Sequence, residues 1–343
     1  MNARHDIDSR GCERLTDSRD PATTPSRLVA LALVVACVAA SGASCPQVLR
    51  GYQVGVMPLP RTLPVQATLD QVIAAVHDNS QRVRSYAASQ AVLAVPGVPR
   101  LTARVASEPP RRFRLQARTA VTGDELDLGS NDDLFWLWIR RHQPPVMLFC
   151  RHDQYESSSA RRLLPIRADW FPELLGLVQF RPEDRHEGPF PLPDGRIEIR
   201  SRIAAGGSAG AAPGADPVAG AAAPVGSDEL VKSTILDGTT GLVIEQHLFT
   251  AAGVRLASVR TTRHRVDATS GAALPHLVEV SWPASEVEFT LEITSITTNM
   301  PSGDPGQLWQ MPAYPGYAPV DLADPSITIT PPAAAGAATT AGP

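Results

Sequence analysis

The cleanest alternation in the chain lies late in it: Val287, Phe289, Leu291 and Ile293 are apolar, and Glu286, Glu288, Thr290 and Glu292 between them are polar. A period of two puts each set on its own face of a β-strand. Shorter runs of the same kind, bounded by turn residues, recur at 89–95, 100–106, 112–120, 125–129, 134–140, 146–150 and 196–203, and they read as antiparallel strands joined by hairpins. Asp237-Gly238 and Ala252-Gly253 supply further turns. Two stretches break the pattern. Leu69, Val72, Ile73 and Val76 fall at helical spacing behind Thr68-x-x-Gln71, a capping box. Residues 169–180, DWFPELLGLVQF, are too long for a strand and set Trp170, Leu174, Leu177 and Val178 along one side. With Pro172 tolerable in a first turn, they predict a second helix.

Many short strands, two helices and no βαβ rhythm predict an α+β fold: a strongly curved antiparallel sheet, in effect an unclosed β-barrel, with helices packed on its concave side. A large sheet of this kind encloses more volume than its own side chains fill. That hollow is where a ligand is expected.

The flanks of this domain read differently. An apolar run from Leu28 to Ala40, preceded by Arg10, Arg14, Arg19 and Arg27 and followed by small residues, has the order of a secretory signal. It falls short of the ~20 residues that cross a bilayer. Gly42-Ala43-Ser44-Cys45 resembles a bacterial lipobox, which assigns 1–44 to a signal peptide with an extended N-region and Cys45 to lipid attachment. Val34-Val35-Ala36-Cys37 makes Cys37 the alternative anchor, and ordinary cleavage beside an incidental cysteine is the plain reading. Residues 45–66 are a proline-containing tether, 67–322 the folded domain, 204–228 a disordered Ala/Gly/Pro insertion, and 323–343 a disordered tail.

Composition narrows the function further. A formal net charge of -4, without a concentrated basic face, argues against nucleic acid. Lys232 is the only lysine. Four cysteines do not make a disulfide framework, because cleavage before Cys45 leaves Cys150 alone as a small apolar residue. If Cys45 is not the anchor, a Cys45 to Cys150 bridge is the other outcome.

The order of elements resembles a known family. A capped helix leading into SYAASQAVLAV, then ARVASEPPRRFRLQAR and GDELDLGSNDDLFWLWIRR, is similar to the bacterial lipoprotein carriers and acceptors of the LolA and LolB type. The closing ITSITTNMPSGDPGQLWQMPAYPGYAPVDL, with Asn299, Trp309, Pro312, Val320, Asp321 and Leu322 in rhythm, extends the resemblance over roughly Thr68 to Leu322. The resemblance implies an unclosed barrel capped by helices, whose apolar cavity shields the acyl chains of lipoproteins or other lipids in the periplasm. The Ala/Gly insertion departs from it, and the anchor fits an outer-membrane acceptor better than a soluble shuttle.

Candidate lining residues follow from the strands. Phe113 and Leu115 are one pair, and Phe289 and Leu291 belong to the late alternating strand. LFWLWI is apolar on both faces, so either Leu134, Trp136 and Trp138 or their opposites Phe135, Leu137 and Ile139 line the cavity; a strand covered on both faces is the ordinary alternative. Arg111, Arg112 and Arg114, and again Arg260, Arg263, His264 and Arg265, offer headgroup contacts, against the ordinary reading of a solvated face.

No catalytic residue or metal ligand is nominated and no cofactor is expected. Cys150-Arg151-His152-Asp153 alternates between faces, Asp132-Asp133 and Glu183-Asp184 read as polar turns, and the hydrolase elbow, phosphate loop and HExxH are absent. The expected activity is binding of acyl chains by a lipid-anchored envelope protein. The alternative is an envelope interaction or sensor module, with a filled interior and a periplasmic protein partner.

Overall fold

The computed structural model describes residues 59–163, 167–203, 229–283, 286–300 and 303–327. The predicted signal, both anchor candidates Cys37 and Cys45, the predicted insertion at 204–228 and all of the predicted tail 323–343 except residues 323–327 lie outside the described residues.

The strands are β1 (Tyr86–Ala94), β2 (Leu101–Glu108), β3 (Arg112–Thr119), β4 (Gly123–Ser130), β5 (Leu134–Ile139), β6 (Val146–Arg151), β7 (Arg185–Pro191) and β8 (Arg196–Ile203). They continue as β9 (Leu230–Asp237), β10 (Val243–Thr250), β11 (Arg255–Thr262), β12 (Arg265–Val266), β13 (Ala273–Leu274), β14 (Leu277–Trp282), β15 (Val287–Thr298) and β16 (Ala318–Asp321). Fourteen of them make one sheet in the order β16-β6-β5-β4-β3-β2-β1-β15-β14-β11-β10-β9-β8-β7, and β12 and β13 form a separate ribbon. The sheet is curved and its two edges, β16 and β7, do not meet, so the barrel is unclosed. Register shifts in β1 between Ala88 and Ala91, and in β10 between Val243 and Glu245, mark bulges of the kind that bend strands.

Three elements differ from the sequence expectation. First, the sheet is not wholly antiparallel, since β16 runs parallel to β6. Such a pairing needs a crossover, and residues 299–317 provide one. Second, β7 was not legible as a strand, because RHEGPFP contains two prolines. An edge position tolerates them, and a bulge between Glu187 and Phe190 accommodates Gly188 at φ 128°. Third, the predicted helix at 169–180 is only a 3-10 turn, Ala168–Trp170, followed by a single helical turn, Phe171–Leu174. Gly176 at φ +83° turns the chain away, and any Cβ there would meet the Pro275 ring at 2.7 Å.

The first helix, α1 (Leu69–Gln81), starts as its sequence predicts. The Gln71 amide donates to Thr68 Oγ1 at 3.3 Å, and the Thr68 amide donates to Gln71 Oε1 at 2.9 Å. Its Val72 and Val76 pack with Val178, Phe180, Ile199, Leu236 and Val243. Just before it, the Thr62 and Leu63 amides both donate to Thr239 O at 3.1 Å, so this end of the tether is fastened to the turn after β9.

The outer face of β3 to β6 carries its own small core. Asp127 on β4 is fully buried and accepts from Arg114 (2.7 and 3.2 Å), Gln116 (3.0 Å), Trp136 Nε1 (3.1 Å) and the Tyr314 hydroxyl (2.9 Å). Arg114 also donates to the carbonyls of Gln307 and Leu308, at the helical turn Pro305–Leu308. Tyr314 stacks on Trp138 at 3.8 Å, and Trp136 lies over Gly129, where a Cβ would be 2.1 Å from its ring. The crossover is thereby clamped to the sheet.

Removing Asp127 leaves a buried guanidinium unpaired, which typically costs about 3–5 kcal/mol. Asp127→Ala should lower unfolding stability by that amount and expose 303–317 to limited proteolysis; an unchanged urea midpoint would refute the clamp.

His264, between β11 and β12, is half-buried, and burial pulls its pKa from 6.5 down to about 4. A histidine depressed in the fold leaves stability intact above its unfolded pKa and removes it as pH falls through the folded one. Relative to His264→Gln, the protein should lose on the order of 3 kcal/mol between about pH 6.5 and 4, measured by denaturant unfolding at each pH.

Candidate functional site

One face of the curved sheet is apolar over most of its width. Alternation puts Leu93 (β1), Val105 (β2), Phe113 and Leu115 (β3), Leu128 (β4), Phe135 (β5) and Leu148 (β6) into a single buried cluster. The same cluster takes in Leu248 (β10), Ala257 and Val259 (β11), Val280 (β14) and Leu291 and Ile293 (β15). Strands far apart in sheet order share it because the sheet curls around it.

What fills the curl is a stretch of chain, residues 167–181. Phe171, Leu175 and Leu177 are each no more than 1 % exposed. Phe171 meets Phe113 on one wall, ring centroids 5.1 Å apart. On the opposite wall, Glu173 is ion-paired with Lys232 of β9, and Gln246 of β10 donates to the Glu173 carbonyl at 3.4 Å. Two further ties hold its end to α1: Ser80 Oγ donates to the Val178 carbonyl at 2.8 Å, and the Phe180 amide donates to His77 Nε2 at 2.9 Å.

The Glu173–Lys232 pair is the polar feature of this interior. Their side chains are 6 % and 12 % exposed, and the Lys232 ammonium lies 5.5 Å from the centre of the Trp170 ring. Burial pushes the Glu173 carboxyl above its usual range, and Lys232 draws it back. Nearby, Asp169 is held by Arg181 at 2.7 Å and Arg167 at 3.0 Å.

The expectation of a ready-made hollow is corrected here. Beneath the segment, among the described residues, a void of ≈ 40 Å³ is bounded by Trp170, Leu174, Lys232, Leu248, Ala257 and Val259. That is too small for an acyl chain, because the chain's own apolar side chains occupy the space. A larger cleft of ≈ 640 Å³ opens beside it, between the 155–170 stretch and the β10–β11 turn. Tyr155, Arg161, Arg167, Trp170, Leu230 and Leu256 are among its walls, and Trp170 separates it from the inner void.

The predicted lining residues divide between two faces. Phe113, Leu115 and Leu291 are buried in the main cluster, and Phe289 packs against it. Leu134, Trp136 and Trp138 belong instead to the outer core with Met147, Met311 and Tyr314. Of the two alternation sets in LFWLWI, it is Phe135 and Leu137 that face the main cluster. Both faces are apolar because both are covered, one by 167–181 and the other by the crossover.

Of the basic residues, Arg114 is not solvated but belongs to the Asp127 clamp, while Arg112 pairs with Asp132 at 2.7 Å and with Glu108 at 3.2 Å. Cys150 is buried in the main cluster and near Ser158, whereas His152 Nε2 contacts the Asn131 carbonyl at 2.8 Å. Sequence reasoning missed Glu173, Lys232 and Asp127. That Lys232 is the chain's only lysine, set on a strand, was the one available signal.

No family profile matches the chain, and no curated protein sequence matches it. Similar solved structures include an outer membrane lipoprotein-sorting protein domain from Vibrio parahaemolyticus, at 8 % identity and TM-score 0.44, covering 70 % of this chain and 97 % of that one. A LolA superfamily protein from Nitrosomonas europaea aligns at 9 % identity and TM-score 0.41, over 72 % of this chain and 99 % of its own. A DUF1329 family protein from Desulfovibrio piger aligns at 10 % identity and TM-score 0.40, over 69 % and 97 %.

Lys232→Met alone leaves Glu173 buried without its partner and should cost about 3–5 kcal/mol, while the double change with Glu173→Gln should recover most of that. Chemical denaturation of the four proteins checks this. Strictly additive losses would show that the pair does not couple.

Proposed function

We propose that this protein is an exported, lipid-anchored protein of the bacterial envelope that binds acyl chains between the sheet's inner wall and the 167–181 segment. The observation that carries the reading is the nature of the cover. A continuous apolar wall drawn from both halves of the sheet is closed by one short stretch interrupted by Pro172 and Gly176, rather than by a second sheet or a long helix. Binding is an exchange of apolar contents. Exposing Trp170, Phe171, Leu174, Leu175 and Leu177 costs roughly 10 kcal/mol at about 2 kcal/mol each, and a chain of about 13 methylenes returns roughly 10 at about 0.8 each. Near-balance permits both uptake and release, as acceptance and sorting of lipids or lipoproteins require.

The anchor would be Cys45, with Cys37 as the alternative, holding the domain at the membrane by the tether, in the outer membrane facing the periplasm. The chemistry is non-covalent, and the residues assigned to it bind rather than react. A second reading, a module that binds a periplasmic protein segment, is favoured by the filled interior beside the open ≈ 640 Å³ cleft.

Purified full-length protein should carry extractable acyl lipids, seen by mass spectrometry, and should enhance the fluorescence of a dansylated acyl probe, whether acid or ester. Absence of both signals would overturn lipid binding and leave the protein-partner reading. Mass analysis of the mature N-terminus should show a diacylglyceryl cysteine.

A further inference from the structure

The inner wall that the apolar segment covers carries one cation, and that cation's counter-ion sits on the cover. Lys232 points inward from β9, paired across the sheet with Ser201 of β8 and Leu248 of β10. Gln246, the neighbouring inward residue of β10, is neutral. Neither flanking strand therefore places a carboxylate beside Lys232 on this wall. Its close charged and aromatic contacts belong to residues 167–181: Glu173 accepts from the ammonium, and Trp170 presents its ring to it. Asp169 lies on the same segment and is already engaged by Arg167 and Arg181. Asp184, in the turn beyond, is pushed up by burial and drawn back by Arg181 and His186, with Lys232 acting on it more weakly.

Displacing the segment by a neutral hydrocarbon would thus strip Lys232 of its close partners while its strand neighbours Ser201, Gln246 and Leu248 offer no negative charge. Leaving one member of a buried ion pair without the other is the most unfavourable outcome available to it. A ligand that brings its own anion avoids that penalty. The ≈ 640 Å³ cleft and the small void beside Lys232 share Trp170 as their common wall, so moving Trp170 with the segment would join them.

We infer that Lys232 is an anion-recognition residue, and that the ligand class is a single-chain amphiphile with a carboxylate head, a fatty acid, whose carboxylate takes the place of Glu173 while its tail takes the place of the segment's apolar side chains. This rests on the acyl-binding reading above and narrows it. Lys232 selects for charge and the wall selects for hydrocarbon. Glu173 acts as a built-in competitor that keeps the empty site neutral.

The test compares dansylated undecanoic acid with its methyl ester on the full chain. The acid should bind at least about tenfold more tightly, a difference of about 1.4 kcal/mol. Glu173→Gln should raise affinity for both probes, since no ion pair then has to be broken, and should keep the preference for acid. The double variant Glu173→Gln/Lys232→Met, which replaces both charges by neutral groups of similar size, should bind acid and ester alike, losing the preference for acid. Thermal unfolding of that double variant verifies that it folds. Equal binding of acid and ester by the parent, or an acid preference that survives in the double variant, overturns the inference while leaving acyl binding intact. Binding of neither probe overturns the acyl reading itself.

Discussion

The structure depends on covering the inner face of an open sheet. A wall assembled from Phe113, Leu115, Phe135, Leu148, Leu248, Val280 and Leu291 cannot be left in water, since each side chain of that size contributes about 1.5–3 kcal/mol on burial. Curvature brings the two halves of the sheet towards each other, and residues 167–181 close the remaining gap. The open edges follow from the same arrangement. β7 carries two prolines and a bulge, and β16 is four residues long, so neither edge offers a long flat template for pairing.

The two polar networks divide the work. Asp127, with five donated hydrogen bonds and a bidentate guanidinium, sits where the crossover must be held, and every donor around it is a strand or crossover side chain. A buried charge satisfied this fully fixes one geometry. Glu173 and Lys232 form a simpler pair between wall and cover, with one residue on each. The first network makes the outer face permanent. The second links the inner face to the element that would have to leave.

This contrast bears on how a filled interior could admit the proposed ligand. The cover is a 3-10 turn and one helical turn, broken by Gly176, with few main-chain bonds of its own. On the proposed exchange such a stretch would leave with little loss of regular backbone structure. The sheet it leaves behind is knitted by ladders along every strand. Side-chain burial holds the cover in place, and a hydrocarbon chain offers burial of the same kind.

The chain's own pattern determined the α1 cap, most of the strand positions, the curved open sheet and the inward placement of Phe113, Leu115 and Leu291, because periodicity and capping are properties of neighbouring residues. It could not rank the two faces of LFWLWI. Their covers come from residues 167–181 and 303–317, and apolarity reads the same whichever lid lies above it. Nor could it show that Arg114 and Asp127 are buried, since alternation marks them as outward, and outward means solvated until a crossover from the far end of the chain lies over them. The broken helix at 169–180 was hidden for a similar reason: its apolar spacing suits a helix, yet Gly176 is pressed against Pro275 and two facing walls claim opposite sides of the segment. Above all, only the folded sheet sets the single lysine opposite Glu173. Two charges 59 residues apart in sequence meet there because the wall curls around the cover.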